Sequence, residues 1–201
     1  MKRKRSFGVI KIKEGNMNEQ EIIAKAKTDV SAFDYLYDKY FLQIYKFVML
    51  RVRDRDIANE VVSDVFYKAM SKLHTFKWRS VPFSSWLYRI AMNEISNYYR
   101  REERKRKLVG VLIHESDEPY GSVTYEEAQS YDFLHKYIKM LPQRDQDVIV
   151  FRYMEKKSFE EISQIFGKKE GYVRVILHRA LKKLEQSLPK EVIENVGRKV
   201  S

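Results

Sequence analysis

At 201 residues the chain has room for one ordinary domain or two small ones, and 39 Lys and Arg against 28 Asp and Glu leave it at +11. That excess favours a polyanionic partner such as nucleic acid or an anionic surface. Cysteine is absent, which excludes disulfides and thiolate zinc sites, and the four histidines (His74, His114, His135, His178) lack the i, i+4 pairing of a helical metal site.

No apolar run approaches the ~20 residues that span a bilayer. The basic start, Lys2-Arg3-Lys4-Arg5, lacks the apolar core and small-residue cleavage site of a signal peptide. A cytoplasmic protein with no membrane insertion is therefore expected. Only seven Gly and four Pro punctuate the chain, and most segments carry helical periodicity. The expected fold is all-α: two small helical domains joined by an acidic flexible linker, the second a helix-turn-helix. The expected boundaries are a basic tail over 1–16, a helical domain over 17–107, the linker over 108–130, the second domain over 131–190 and a tail over 191–201.

The first long helix is expected from Ser31 or Ala32 to about Arg53, with Phe33, Leu36, Tyr37, Tyr40, Ile44, Phe47 and Val48 recurring at core spacing. A second follows Asp56, with Ile57, Val61, Val65, Ala69 and Leu73 inward. Its other face carries Asp56, Asn59, Glu60, Ser63 and Asp64. An acidic face on a basic chain repels nucleic acid; it suits either a basic protein surface or plain solvent.

The loop from His74 to Pro82 sets two aromatics, Phe76 and Trp78, among the cations Lys77 and Arg79. Rings stack on unpaired bases and cations meet phosphates, so the loop suits single-stranded nucleic acid; equally, the rings can plug the core. A third helix is expected over Phe83 to Arg101. Its buried stripe would be Phe83, Leu87, Ile90, Ala91, Ile95 and Tyr98, and its opposite face Arg89, Asn93, Ser96 and Arg100. Asn93 offers both a donor and an acceptor to a base edge. Glu94 falls on the buried side with no evident partner.

Between His114 and Asp132 there are six carboxylates and no Lys or Arg, which reads as an acidic linker. Leu134, Tyr137, Ile138 and Leu141 then open the second domain, and Pro142 suits the first turn of a helix. Ser158-Phe159-Glu160-Glu161 is a capping box opening a short helix that buries Phe159, Ile162 and Phe166. Gly167 sits at the turn, and another helix starts near Lys169 with Val173, Ile176, Leu177, Ala180 and Leu184 inward. Its outward stripe is Gly171, Arg174, Val175, His178 and Lys182. Cations, small residues and a histidine suit a major groove, where Arg pairs with guanine and small apolar groups meet a thymine methyl.

These residues resemble a known family. AFDYLYDKY, DIANEVVSDVFYKAM, FSSWLYRIAMNEISNYYRR, LPQRDQDVIVFRYMEKKSFEEISQIFG and GYVRVILHRALKKL, in this order, are similar to bacterial sigma factors of the extracytoplasmic-function group, from Phe33 to Leu188. The resemblance implies binding to core RNA polymerase and promoter DNA, with an anti-sigma factor as a further partner. It implies polymerase docking through Asp56, Asn59, Glu60, Val61 and Asp64. It also implies recognition and opening of the −10 element through Lys77, Trp78, Arg79, Arg89, Asn93, Ser96, Asn97 and Arg100, with Asn93 at a flipped base. Reading of the −35 element falls to Lys169, Gly171, Tyr172, Arg174, Val175, His178, Arg179 and Lys182, and the linker would thread the RNA exit path. Tyr172, in place of a small residue, and Val175, in place of a polar one, depart from the pattern, so the −35 sequence does not transfer.

No catalytic residue, cofactor or metal is expected: there is no phosphate-binding Gly-rich loop, nucleophile–base pair or metal cluster. Two rivals are a stand-alone helix-turn-helix regulator and a helix-turn-helix recombinase or transposase. The first leaves the aromatic loop and acidic helix without a role, and the second needs a catalytic constellation that the first domain is too small and helical to supply. Dependence of promoter binding on core polymerase separates them.

Overall fold

The computed structural model describes residues 18–78, 81–109 and 134–189, and all regular structure within them is helical. Both tails, Arg79 and nearly all of the expected linker lie outside the described residues.

The N-terminal domain opens with a helix that the sequence reading did not separate from its surroundings, α1 (Glu19–Ala26). Asn18 and Glu21 form a capping box, each side chain accepting from the other's backbone N–H at 3.0 Å. Ile22, Ile23 and Ala26 bury its inner face. A 3-10 turn, Val30–Ala32, leads into α2 (Phe33–Val52), which ends where Arg53 takes a left-handed conformation at φ 52°. Asp54 then caps α3 (Arg55–Lys72) by accepting from the Ile57 N–H at 2.9 Å. The third long helix, α4 (Phe83–Val109), packs on both α2 and α3. Leu36, Ile44, Phe47, Val61, Val65, Phe83, Leu87, Ala91 and Ile95 are all buried in the core.

Helix α4 outlasts the expected end at Arg101. Lys105 pairs with Glu102 at 2.7 Å and Lys107 with Glu103 at 2.8 Å, spacings that sustain a solvated helix beyond the core. Its wheel also differs from expectation in detail. Tyr88 is fully buried and Ser85 nearly so, while Ile90 and Tyr98 are half-buried.

The C-terminal domain comprises a short helix α5 over 134–139, α6 (Gln143–Ile149), α7 (Phe159–Phe166) and α8 (Glu170–Ser187). Helix α6 runs on into a π turn, Val150–Met154, closed by the Glu155 N–H on the Val150 carbonyl at 2.9 Å. Ile162 and Ile165 are the buried residues of α7. Phe159 and Phe166, expected inside, are only half-buried, because the first and last turns of a two-turn helix lie at the rim of its packing face.

The two domains pack against each other. The rings of Phe47 and Phe151 stack 4.6 Å apart, and Tyr88 meets both edge-on at 5.3 and 5.0 Å. Beside them Arg51, 2 % exposed, donates from Nε to Asp147 at 2.9 Å and from Nη1 to Gln146.

Candidate nucleic-acid interface

On α3 the residues expected to form an acidic face do so in part. Asp56, Asn59 and Glu60 are exposed and Asp64 is half-exposed. Arg101 of α4 lies 3.6 Å from Glu60 and 4.0 Å from Asp64, a solvent-exposed contact worth little in stability. Val61 must be removed from this face. At 1 % exposure it belongs to the core between α2, α3 and α4, where the wheel also put it, and it offers no surface to a partner.

The aromatic loop divides its two rings between two roles. Phe76 is 4 % exposed and packs on Phe83 at 5.4 Å and Trp86 at 5.1 Å, so it is a core plug. Lys27 Nζ donates to its carbonyl at 2.6 Å and ties the loop to the end of α1. Trp78 stays 37 % exposed beside exposed Lys77.

Along α4, Asn93 is exposed and uncovered by any element. One turn further on, Asn97 donates to Glu94 at 3.3 Å and accepts from Arg100 Nη2 at 2.7 Å, so its amide is oriented from both sides. Glu94 finds the partner that the sequence left open: Lys68 of α3 reaches across to its buried carboxylate. Lys68, Glu94, Asn97, Arg100, Arg101 and Arg104 line a cleft of about 270 Å³, with cations at the rim and a carboxylate within.

Two residues assigned to the same DNA-facing stripe are not free. Arg89 donates from Nε to the Ile165 carbonyl at 2.7 Å and from Nη2 to the Gln164 carbonyl. Ser96 donates to Gln143 at 2.5 Å. A helical wheel gives the face of a residue, not what covers that face. Burial accordingly lowers the Arg89 pKa.

In the helix-turn-helix the capping box holds, with Glu161 N–H on Ser158 Oγ at 3.1 Å and Ser158 N–H on Glu161 at 2.8 Å. Gly167 ends α7 at φ 61°, and the Lys168 N–H returns to the Ser163 carbonyl at 3.0 Å. A side chain here would be strained, and its Cβ would also sit 3.2 Å from Arg89 Nη2. Lys169, Gly171, Tyr172, Arg174, Val175, His178, Arg179 and Lys182 are all exposed. The inward stripe Val173, Ile176, Leu177, Ala180 and Leu184 is buried.

The structure adds residues that the sequence reading missed. Arg144 of α6 lies over the Tyr172 ring at 4.7 Å, with Lys168 at 5.9 Å. Two further cations thus join the outward face. No signal within α8 could have found Arg144, which comes from another helix.

Residues 36–105 match the family model described as Sigma-70 region 2, and residues 137–186 match that for Sigma-70 region 4. The chain belongs to the sigma-70 family. It is an alternative sigma factor of the extracytoplasmic-function group, acting in transcription initiation. The sigma factor BldN of Streptomyces coelicolor is 25% identical over 174 residues, covering 84% of this chain and 65% of BldN, so the chain spans just under two thirds of that relative. The sigma factor YlaC of Bacillus subtilis is 28% identical over 162 residues, 77% of this chain and 91% of YlaC. Among solved structures, the sigma factor RpoE of Bartonella quintana, in complex with the anti-sigma factor NepR, shares the fold. Its TM-score is 0.61 at 21% identity, over 77% of this chain and 95% of that one. CnrH, in complex with the cytosolic domain of CnrY, gives a TM-score of 0.58 at 21% identity, over 82% and 93%.

Sigma factors are non-enzymatic DNA-binding initiation factors. In this one, no described helix is long and apolar enough to cross a membrane. Among the described residues no cluster of His, Asp and Glu is arranged to hold a metal.

Proposed function

We propose that this sigma factor docks on core RNA polymerase through the outer edge of α3, with Asp56, Asn59, Glu60 and Asp64 meeting a basic surface. Lys77, Trp78, Asn93, Asn97 and Arg100 then meet the −10 element, and α8 lies in the major groove of the −35 element. The observation that supports this division is the sorting of exposed side chains by chemistry. The outer edge of α3 carries Asp56, Asn59 and Glu60, the loop and α4 carry Trp78 and Asn93 among Lys77 and Arg100, and α8 carries cations with small residues. An acidic edge repels DNA and suits protein, whereas the other two faces suit polyanions.

Within this reading the helical module over 17–107 binds polymerase and the −10 element, the segment over 108–130 links, and the module over 131–190 reads the −35 element. The chain works in the cytoplasm and performs no catalysis; bond formation belongs to the polymerase. An anti-sigma protein is a fitting partner class, since the RpoE of similar fold was solved in complex with the anti-sigma factor NepR. Mixing the protein with core polymerase and a promoter library, then sequencing transcript starts, tests the reading. Starts clustered downstream of one shared motif, dependent on the protein, are the expected result. Promoter binding that is independent of polymerase would instead indicate a stand-alone regulator.

A further inference from the structure

Lys27 closes α1, yet its ammonium leaves its own helix. A lysine at a helix C-terminus can donate to the last carbonyls of that helix, where the macrodipole favours a cation. Here Nζ donates instead to the Phe76 carbonyl at 2.6 Å, 49 positions along the chain. Ordering a lysine side chain costs rotamer entropy, which a charged donor on a carbonyl offsets while tying two elements together.

The rest of Phe76 is held as well. Its N–H donates to the Leu73 carbonyl at 3.0 Å, and its ring packs on those of Phe83 and Trp86. With its carbonyl on Lys27, the backbone on both sides of this residue and its ring are all fixed. Lys77 and Trp78 leave from that fixed point, both exposed, and the Trp78 ring stands at 79° to the Phe76 ring with centres 6.3 Å apart.

Helix α1 is itself well anchored. Ile22, Ile23 and Ala26 are buried, and Glu19 accepts from Lys39 at 2.6 Å and from the Tyr40 hydroxyl. Tyr40 packs on Phe83 at 5.5 Å, so both ends of α1 connect to the ring cluster beneath the loop. Neither α1 nor Lys27 falls within residues 36–105, so the region 2 match gives Lys27 no role.

We propose that Lys27 is a positioning residue for −10 recognition: by fixing the Phe76 carbonyl it holds the Trp78 ring out as a ready stacking surface for an unpaired base. Bases stack on aromatic rings with little regard to sequence, and a ring already held loses less freedom when one arrives. The use in recognition rests on the assignment of Trp78 to the −10 element made above; the holding of the ring does not.

The test uses the full chain. In a Trp86→Phe background Trp78 is the single tryptophan, and its fluorescence anisotropy and quenching by acrylamide report the freedom of the ring without polymerase or DNA. Lys27→Met keeps the aliphatic stem and removes the donor; it should lower the anisotropy and raise the quenching, and Lys27→Arg, which can donate to the same carbonyl, should restore both. The second arm uses holoenzyme and a single-stranded non-template oligonucleotide copied from a promoter found by transcript-start mapping. Lys27→Met should weaken binding to that strand about fivefold while leaving core-polymerase affinity unchanged. In a Trp78→Ala background the same change should cost nothing further, because a positioning residue has nothing left to position.

Unchanged Trp78 anisotropy in Lys27→Met overturns the positioning role, as does a loss of helical circular dichroism in that variant, which would make Lys27 a residue of the fold alone. Losses that add in the double variant would show that Lys27 meets a phosphate directly and overturn it equally. A loosened ring with unchanged strand affinity overturns the use in recognition. Transcript starts without a shared motif in the parent protein would instead mark a failure of the −10 reading, with the spectroscopic arm still deciding whether Lys27 holds the ring.

Discussion

The guanidinium of Arg174 lies 3.9 Å from the centre of the Phe159 ring, joining the second helix of the helix-turn-helix to the first. Arg152 approaches the same ring at 4.6 Å, and Glu170 holds Arg174 at 3.3 Å from the turn before it. The side chain expected to read a −35 base is thus held on a ring before any DNA arrives. Such preorganisation reduces the rotamer entropy lost on binding. An exposed cation–π contact is worth about 0.5–1 kcal/mol. Phe159→Leu should therefore weaken −35 duplex binding by roughly that amount without changing the preferred sequence. Arg174→Ala should cost ~1–3 kcal/mol and relax choice at one position. Lys182→Ala, at the far end of the exposed face, should weaken all sequences alike with a shallower salt slope. Binding curves on a duplex library at two salt concentrations check all three, and an altered consensus in Phe159→Leu would contradict the positioning role.

On the proposed docking edge the cleanest probe is Asn59→Arg, since Asn59 is exposed and has no charge to lose. Asp64→Arg is the second, although it also sets a cation against Arg101. Like-charge juxtaposition at an interface costs on the order of several kcal/mol. Both variants should keep their helical circular dichroism and lose core-polymerase affinity. Val61→Arg should behave differently, unfolding the N-terminal domain by forcing a charge into the core. Retained polymerase affinity in both surface variants would move docking elsewhere.

Asn93 stands exposed on α4. Its removal should leave folding unchanged. With polymerase bound, Asn93→Ala should spare closed-complex binding and reduce promoter opening, read as permanganate reactivity of thymines. Normal opening in that variant would remove Asn93 from base capture.

The capping box of α7 carries a pH dependence whose sign follows from Glu161. Burial alone would raise its pKa, but the hydrogen bond from the Ser158 N–H and the charge of Lys157 outweigh it and hold the carboxyl below its usual range. A depressed carboxyl contributes stability above its unfolded value of about 4.3 and loses it as pH falls through the folded value. The Tm should therefore decline on acidification below about pH 5, and Glu161→Gln should flatten that decline while lowering the neutral-pH Tm. An unchanged acid limb would show that the cap does not set it.

Much of this molecule was legible in its sequence because helices are local. The inward stripe of α8, the Ser158–Glu161 box and the turn at Gly167 depend on neighbours three or four positions away, and each stands as read. Helix α1 escaped because two turns with three apolar residues give too short a pattern. What the tertiary structure alone decided is which of the polar residues meet each other. Arg51 and Asp147 are 96 positions apart, and Arg89 and Ile165 are 76 apart. Arg144 joins Tyr172 from another helix. A wheel assigns Arg89, Asn93 and Ser96 to one outward stripe with equal weight. Only the packing of Phe47 and Tyr88 against Phe151 brings the second domain over two of them and leaves the third in solvent.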